Sequence, residues 1–224
     1  WVLGPRSGHV RGLAFGYSAS PSEHRIRDLA FVFDRGTLSA NVTLGATAPL
    51  ALAGELAFAG DASLAGIDAK ATLGGTLAEV AVDASGRARG AGLRARAMLT
   101  PFAPSAIASV AVDLADANLA AIDAQWPATA IDAHVALTPT GRGFAGTLEA
   151  TNRVAGAIDA GGVPLASLNA NFAMDDEALA LDGIVATLPG GGTARGRASI
   201  PFASSALAGT LDVANVDLAR IHGR

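Results

Sequence analysis

Apolar and polar residues alternate one for one over much of this chain. Leu38, Ala40, Val42 and Leu44 are interleaved with Ser39, Asn41 and Thr43. Ile67, Ala69, Ala71 and Leu73 are interleaved with Asp68, Lys70 and Thr72. The pattern returns in Leu93–Leu99 around Arg94 and Arg96, in Val110–Leu114 around Asp113, and in Ile131–Leu137 around Asp132 and His134. It returns again in Leu168–Met174 around Asn169 and Asn171, and near the end in Leu207, Leu211 and Val213 around Asp212. Leu50, Leu52, Leu56 and Phe58 are read as sharing one face, with Glu55 on the other. A period of two is the signature of strands, whose successive side chains point to opposite faces of a sheet. Strands covered on both faces read as solid apolar runs instead.

Turn-forming clusters separate these runs at short intervals. Asp34-Arg35-Gly36, Gly60-Asp61, Gly74-Gly75, Thr140-Gly141-Arg142-Gly143 and Pro189-Gly190-Gly191-Gly192 are examples. Spacers of two to five residues suit antiparallel hairpins. No segment holds a 3.6-residue apolar period. Pro101, Pro104 and Pro201 make the Ala-rich stretches after them loops rather than helices. Pro101-Phe102-Ala103 with Ser105-Ala106-Ile107-Ala108 recurs as Pro201-Phe202-Ala203 with Ser205-Ala206-Leu207-Ala208. Arg94 and Arg96 precede the first copy, and Arg195 and Arg197 the second. The expectation is an all-β, elongated antiparallel sheet built from repeats. Residues 1–224 form a single continuous segment of it, with repeat-like units ending near residues 122 and 221.

Composition sharpens what the apolar face must be. Half of the 224 residues are hydrophobic, yet only 5% are aromatic. Ala, Leu and Val supply many small side chains and few large ones to fill a compact core. A sheet with one apolar face must be covered by another sheet, fold over on itself or bind something apolar. Trp1 stands at the chain's start and Trp126 beside Pro127, so neither serves as the buried Trp of an immunoglobulin-type sandwich. The net charge of −4 excludes a basic nucleic-acid footprint. With no cysteine there is no disulfide framework and no thiolate metal site. No apolar run reaches the ~20 residues of a membrane helix. Both ends read as cut from a longer protein.

Catalytic and metal chemistry is absent from the sequence pattern. His9, His24, His134 and His222 are isolated, none with a His, a Cys or a paired carboxylate at i,i+2 or i,i+4, and read as solvent-facing strand or loop residues. Asp175-Asp176-Glu177 lacks the spaced oxygens of a calcium loop and reads as a solvated turn. Gly190-Gly191-Gly192-Thr193 lacks the Lys-Ser/Thr of a phosphate loop. Arg94, Arg96, Arg195 and Arg197 read as outward, solubilising residues that discourage edge pairing. The expectation is a protein that is not an enzyme and has no cofactor.

The strand runs "PLALAGELAFAG" and "GGTLAEVAVDASGRARGAGLRARAMLTPFAP", with the closing "LAGTLDVANVDLARI", resemble the TamB family of translocation and assembly module subunits and the wider AsmA-like proteins. The likeness covers most of the chain, best over 48–221. It implies a long curled sheet, a U-shaped trough or β-taco, with an apolar concave face. It further implies a periplasmic protein anchored to the inner membrane by a segment outside this chain. Lipid acyl chains would move along the trough between inner and outer membrane. Assembly of outer-membrane proteins and autotransporters is implied too, with a partner of the outer-membrane-barrel assembly family. On that reading Leu50, Leu52, Leu56, Phe58, Val80 and Val82 line the groove. Val110, Val112, Ile131, Val135, Phe172 and Leu211 continue the lining. The competing reading is a structural β-sandwich or β-solenoid scaffold or adhesin, its core sealed.

Overall fold

A computed structural model of the chain describes residues 10–33, 35–61, 66–203 and 207–222. Expectations attached to Trp1, His9, Asp34, Ser205, Ala206, Gly223 and Arg224 lie outside these residues. Fourteen strands form one antiparallel sheet whose strand order is the order along the chain. They are β1 Val10–Ala19, β2 Glu23–Phe33, β3 Gly36–Gly45, β4 Leu52–Gly60, β5 Ile67–Gly75, β6 Val80–Ala88 and β7 Ala91–Leu99. There follow β8 Ile107–Ala117, β9 Ile131–Pro139, β10 Phe144–Asn152, β11 Ser167–Met174, β12 Ala178–Thr187, β13 Thr193–Pro201 and β14 Ala208–Ala214. The helical content among the described residues is slight: 3-10 turns at Leu119–Ala121 and Ile158–Ala160, and the helix α1, Leu218–His222. The chain divides into two compact units. Unit one is Trp1–Arg89 with Met98–Ala106, and unit two is Gly90–Ala97 with Ile107–Arg224.

An Ala-rich chain forms strands here although Ala favours helix. The reason is spacing. In a helix, residues two apart are rotated by about 200°, so Ile67, Ala69, Ala71 and Leu73 would scatter around it. In a strand they make one face. Burial follows that face: along β3 the odd-numbered Thr37, Ser39 and Asn41 are exposed, while Leu38 and Val42 are half-buried and Ala40 is buried. Sequence spacing locates the strands at 38–44, 67–73, 131–137 and 168–174 closely. It does not single out β1, β6, β10, β12 or β13, and the turn that Ser85-Gly86-Arg87 suggests is instead the interior of β6.

The reason for two of those omissions is a bulge. Register shifts interrupt β1 between Arg11 and Ala14, β2 between Ile26 and Leu29, β8 between Leu114 and Ala117, and β12 between Leu181 and Ile184. Each shift holds a residue in the left-handed region: Gly12 (φ 64°), Asp28 (φ 51°), Asp116 (φ 58°) and Gly183 (φ 59°). The local sequences are Val10-Arg11-Gly12-Leu13, Ile26-Arg27-Asp28-Leu29, Leu114-Ala115-Asp116-Ala117 and Leu181-Asp182-Gly183-Ile184. An apolar residue, one spacer, Asp or Gly, then a second apolar residue is their common form. The extra residue breaks strict alternation and bends and twists the strand. Ile26 and Leu29 thereby both reach the apolar face, opposite Val42 and Ala40. Two of these bulges are pinned by a side chain from the next strand. Asp28 N–H donates to Asn41 Oδ1 at 2.9 Å, and Asp116 N–H donates to Asp132 Oδ1 at 2.9 Å. Arg153 bridges Asp116 and Asp132, its Nε 2.9 Å from Asp132 Oδ2.

In unit two the connections differ from one rim of the strands to the other. At one rim the turns are short and polar, Thr140–Gly143 and Asp175–Glu177. Asp175 Oδ1 accepts the N–H groups of Glu177 at 2.8 Å and Ala178 at 2.9 Å. At the other, longer loops carry the helical turns. Thr129, 6% exposed, ties the first of these loops down. Its Oγ1 accepts from Leu119 N–H at 3.0 Å and donates to the Ala117 carbonyl at 3.0 Å. Asn152, 8% exposed, does the same for the next, accepting from Ala130 N–H and Val154 N–H at 3.2 Å each. The Pro101 loop is not helical, as its prolines require, and Ile107-Ala108 already belongs to β8.

Candidate functional site

The feature that recurs in both units is the apolar face of the sheet. In unit one the register sets residues in rows across the strands. Phe31, Leu38, Phe58, Ala69 and Gly86 form one row; Leu29, Ala40, Leu56, Ala71 and Ala84 the next; Ile26, Val42, Gly54, Leu73 and Val82 the third. Leu52 extends the face opposite Leu44, and Val80 does so opposite Gly75. Gly54 stands between Val42 and Leu73 in the third row. The Phe58 ring lies over Gly36, where a Cβ would stand 2.6 Å from its Cε2, and stacks on Phe33 at 5.6 Å between centroids. Such ring-over-glycine pairs fill the face without a second layer.

Unit two repeats the construction. Val110, Leu137, Gly146, Phe172, Leu181 and Ala198 share one row. Val112, Val135, Leu148 and Ala170 share the next, and Leu114, Ala133, Ala150, Leu168, Ala186 and Ala194 a third. Ile131 stands between Ala117 and Asn152 at the end of the face, and Leu211 lies opposite Gly196 on β14. Every residue expected to line a groove therefore lies on the apolar face of its own unit except Leu50. Leu50 precedes β4 in a turn with φ 57°, after the cis Ala48–Pro49 bond, and takes no place in the rows. Leu207 likewise precedes β14 and is exposed.

Among the described residues no second sheet and no helical layer packs on either unit's apolar face. No large side chain there is fully buried, and the buried apolar residues are mostly alanines with Val80 and Ile184. The larger residues of the rows are half-buried, covered by neighbours on their own face and otherwise open.

The opposite face is hydrated and charge-matched. In unit two a single cross-strand row reads Asp113, His134, Glu149, Asn169, Val185, Arg195 and Asp212. His134 Nδ1 is 2.7 Å from Asp113 Oδ1. Opposite charges side by side across strands favour this register over a slip. This carboxylate partner of His134 is invisible in the sequence, where the two residues are 21 apart. His24 lies on β2 against Tyr17 Oη, 2.8 Å from its Nδ1, and His222 Nδ1 is 3.8 Å from Asp159 Oδ2. Arg94, Arg96, Arg195 and Arg197 are all exposed. Unit one has a shallow, open depression of about 340 Å³ on its hydrated side, where Arg25, Arg27, Asn41, Thr43, Glu55 and Thr72 meet. Its charges of both signs and its openness give it no ligand preference.

No protein-family model, curated protein or solved structure matches this chain. The geometry therefore has to carry the functional argument. Among the described residues no three His, Asp or Glu side chains gather as a metal site, and no helix is long and apolar enough to cross a membrane. No buried side-chain nitrogen or oxygen there lacks a hydrogen-bond partner. The Asp175 carboxyl is held below its ordinary pKa by the Glu177 and Ala178 N–H groups, aided by Arg142, and serves its turn.

Proposed function

We propose that the apolar faces are the inner wall of a hydrophobic groove that takes lipid acyl chains. The chain acts on this reading as a segment of a periplasm-spanning protein of the kind its sequence resembles, with the sheet curled into a U-shaped trough. The observation that carries the proposal is the pairing of two facts within each unit: rows of apolar side chains run strand after strand, and among the described residues no second sheet or helical layer packs on them. The paired bulges support curvature, since each bends and twists its strand.

The mechanism is desolvation. A methylene moved fully out of water gains about 0.8 kcal/mol, and one lying on a one-sided wall gains part of that. Small residues keep the wall smooth, so no position holds a chain strongly and lipids can slide. Head groups stay in water at the rims. No side chain performs covalent chemistry, and no cofactor is called for. Phospholipid transfer between the two membranes, a role in outer-membrane protein assembly and a barrel-assembly partner follow from the resemblance. A sealed scaffold or adhesin segment is the competing reading, and it requires the same faces to be dry.

The test is direct. The purified chain is passed to native mass spectrometry after expression, and displacement of a fluorescent fatty-acid probe is measured. Bound phospholipid is expected, together with probe affinity that falls about tenfold or more in Val112→Asp and Leu52→Arg, because each sets an unpaired charge against hydrocarbon. A chain that carries no lipid, and variants that bind the probe as well as the parent, would overturn the groove.

A further inference from the structure

The apolar face of unit one is interrupted at one place. Register puts Tyr17 opposite Ile26, and His24 opposite Leu44, which itself stands opposite Leu52. Both polar side chains therefore lie on the same side of the sheet as the apolar rows. Among the described residues of β1–β6 no other polar side chain shares that side. Tyr17 Oη is 2.8 Å from His24 Nδ1, and the two rings stack with centroids 6.2 Å apart. Tyr17 is 59% exposed, and His24 is exposed too. The pair belongs to the face and makes no use of a strand edge.

The pair gives the face a direction. Past it come the Ile26–Val42 row, the Leu29–Ala40–Leu56 row and the Phe31–Leu38–Phe58 row. Phe31 and Phe33 meet at 6.2 Å, and Phe33 stacks on Phe58 at 5.6 Å, so the far end is aromatic. From Leu44 to Leu38 β3 rises about 20 Å, at ~3.4 Å per residue. An extended acyl chain is about 15 Å long, half the ~30 Å hydrocarbon core of a bilayer. One chain laid along the strands with its head at His24 thus meets apolar side chains over its whole length. Sites for such ligands set a few polar groups against an apolar lining to fix orientation.

We propose that the Tyr17–His24 pair receives the phosphate of a phospholipid whose acyl chain lies along β2–β4; this rests on the groove reading. Tyr17 Oη donates to Nδ1 of the neutral imidazole, which leaves the ring proton on Nε2. Nε2–H, which has no hydrogen-bond partner among the described residues, then donates to a phosphate oxygen. His24 is the contact residue, and Tyr17 is a positioning residue that fixes its tautomer. A lipid is thereby oriented, head at His24 and tail towards Phe31 and Phe58.

The test measures binding of dihexanoyl-phosphatidylcholine, and of dihexanoyl-glycerol, which lacks the phosphate, to the 224-residue chain. His24→Leu continues the Leu44–Leu52 row. It should lose about fivefold in affinity for the phospholipid, because a hydrogen bond to a charged group goes at an exposed site. It should bind dihexanoyl-glycerol at least as well as the parent. His24→Gln keeps an N–H donor and should recover most of the loss. In NMR of the imidazole nitrogens, the phospholipid should move Nε2 more than Nδ1. Tyr17→Phe should mix the two tautomers and weaken phospholipid binding by a smaller factor. Circular dichroism confirms that each variant stays folded. If His24→Leu binds the phospholipid as the parent does, or loses both ligands equally, the head-group site is refuted while the groove stands. If inorganic phosphate alone shifts Nε2 as far, the pair is a free-phosphate site and the proposal fails. A parent that binds neither amphiphile overturns the groove, and this site with it.

Discussion

Gly146→Ala tests whether the close approach of β9 and β10 is a constraint on the apolar face. A Cβ placed on Gly146 would overlap the Ala136 carbonyl oxygen and stand 2.9 Å from both the Ala136 carbonyl carbon and Leu137 Cα. Carbon contacts settle at about 3.5–4.0 Å, so the strands must separate by roughly half an ångström or more. Backbone, not a flexible side chain, has to yield. Overpacking of this kind costs about 1–3 kcal/mol. Loosening the ladder around the Leu137–Gly146 pair threatens one or two hydrogen bonds at about 0.5–1.5 kcal/mol each. Reduced freedom of the unfolded chain returns about 0.4–1 kcal/mol. At mid-range values with one hydrogen bond lost, the net loss is about 2 kcal/mol. Gly141→Ala is the control: nothing lies within 4 Å of its Cβ, so only the unfolded-state gain of about 0.4–1 kcal/mol remains. Urea unfolding followed by circular dichroism gives both values. Hydrogen exchange at β9 and β10 shows whether the loss is local, as it can be in a sheet built of successive hairpins. If Gly146→Ala costs less than about 0.5 kcal/mol, the close strand approach is not a constraint and the reasoning fails.

Three further outcomes are expected. Thr129→Val removes the acceptor for Leu119 N–H and the donor to the Ala117 carbonyl, at a cost of about 1–3 kcal/mol; unchanged exchange protection of the Leu119 amide would count against this. Asp28→Val forces a β-branched residue to φ 51° and should lose about 1–2 kcal/mol, while Asp28→Gly should be neutral or stabilising, as urea midpoints will show. The Asp175 carboxyl should titrate below 3.8 by NMR. Since its folded pKa is depressed, its contribution is complete above 3.8 and is lost only as pH falls through the lower folded value. A midpoint at or above 3.8 would refute the turn's role in holding it ionised.

Much of the sheet is legible in sequence because the period-2 pattern is a local signal. Ser39, Asn41 and Thr43 point to water for the same reason that Leu38, Ala40 and Val42 do not. The groove-lining candidates in β4, β6, β8, β9, β11 and β14 fall on the apolar face for that reason alone. The bulged strands are less legible, because Ile26 and Leu29, or Leu181 and Ile184, are three apart and look out of phase. Their signal was present, as an Asp or Gly set between two apolar residues, but it requires left-handed backbone rather than alternation to interpret. β10 does not stand out, because Gly146 and Ala150 leave Phe144 and Leu148 to carry the pattern.

Spacing along the chain is enough to give the kind of structure and the division of each strand into an apolar and a hydrated side. Those follow from spacing and from the cost of exposing hydrocarbon. Which residues meet across strands is set by the folded sheet. The pairing of His134 with Asp113, the bridge from Arg153 to two aspartates and the row that ends in Asp212 join positions far apart in the chain. Each depends on register, and register is a property of neighbouring strands taken together. The structure also placed Leu50 outside the rows, since a left-handed turn residue cannot continue the pleat. Among the described residues it set no second sheet and no helical layer on the apolar face of either unit, which no count of alanines and leucines could have established.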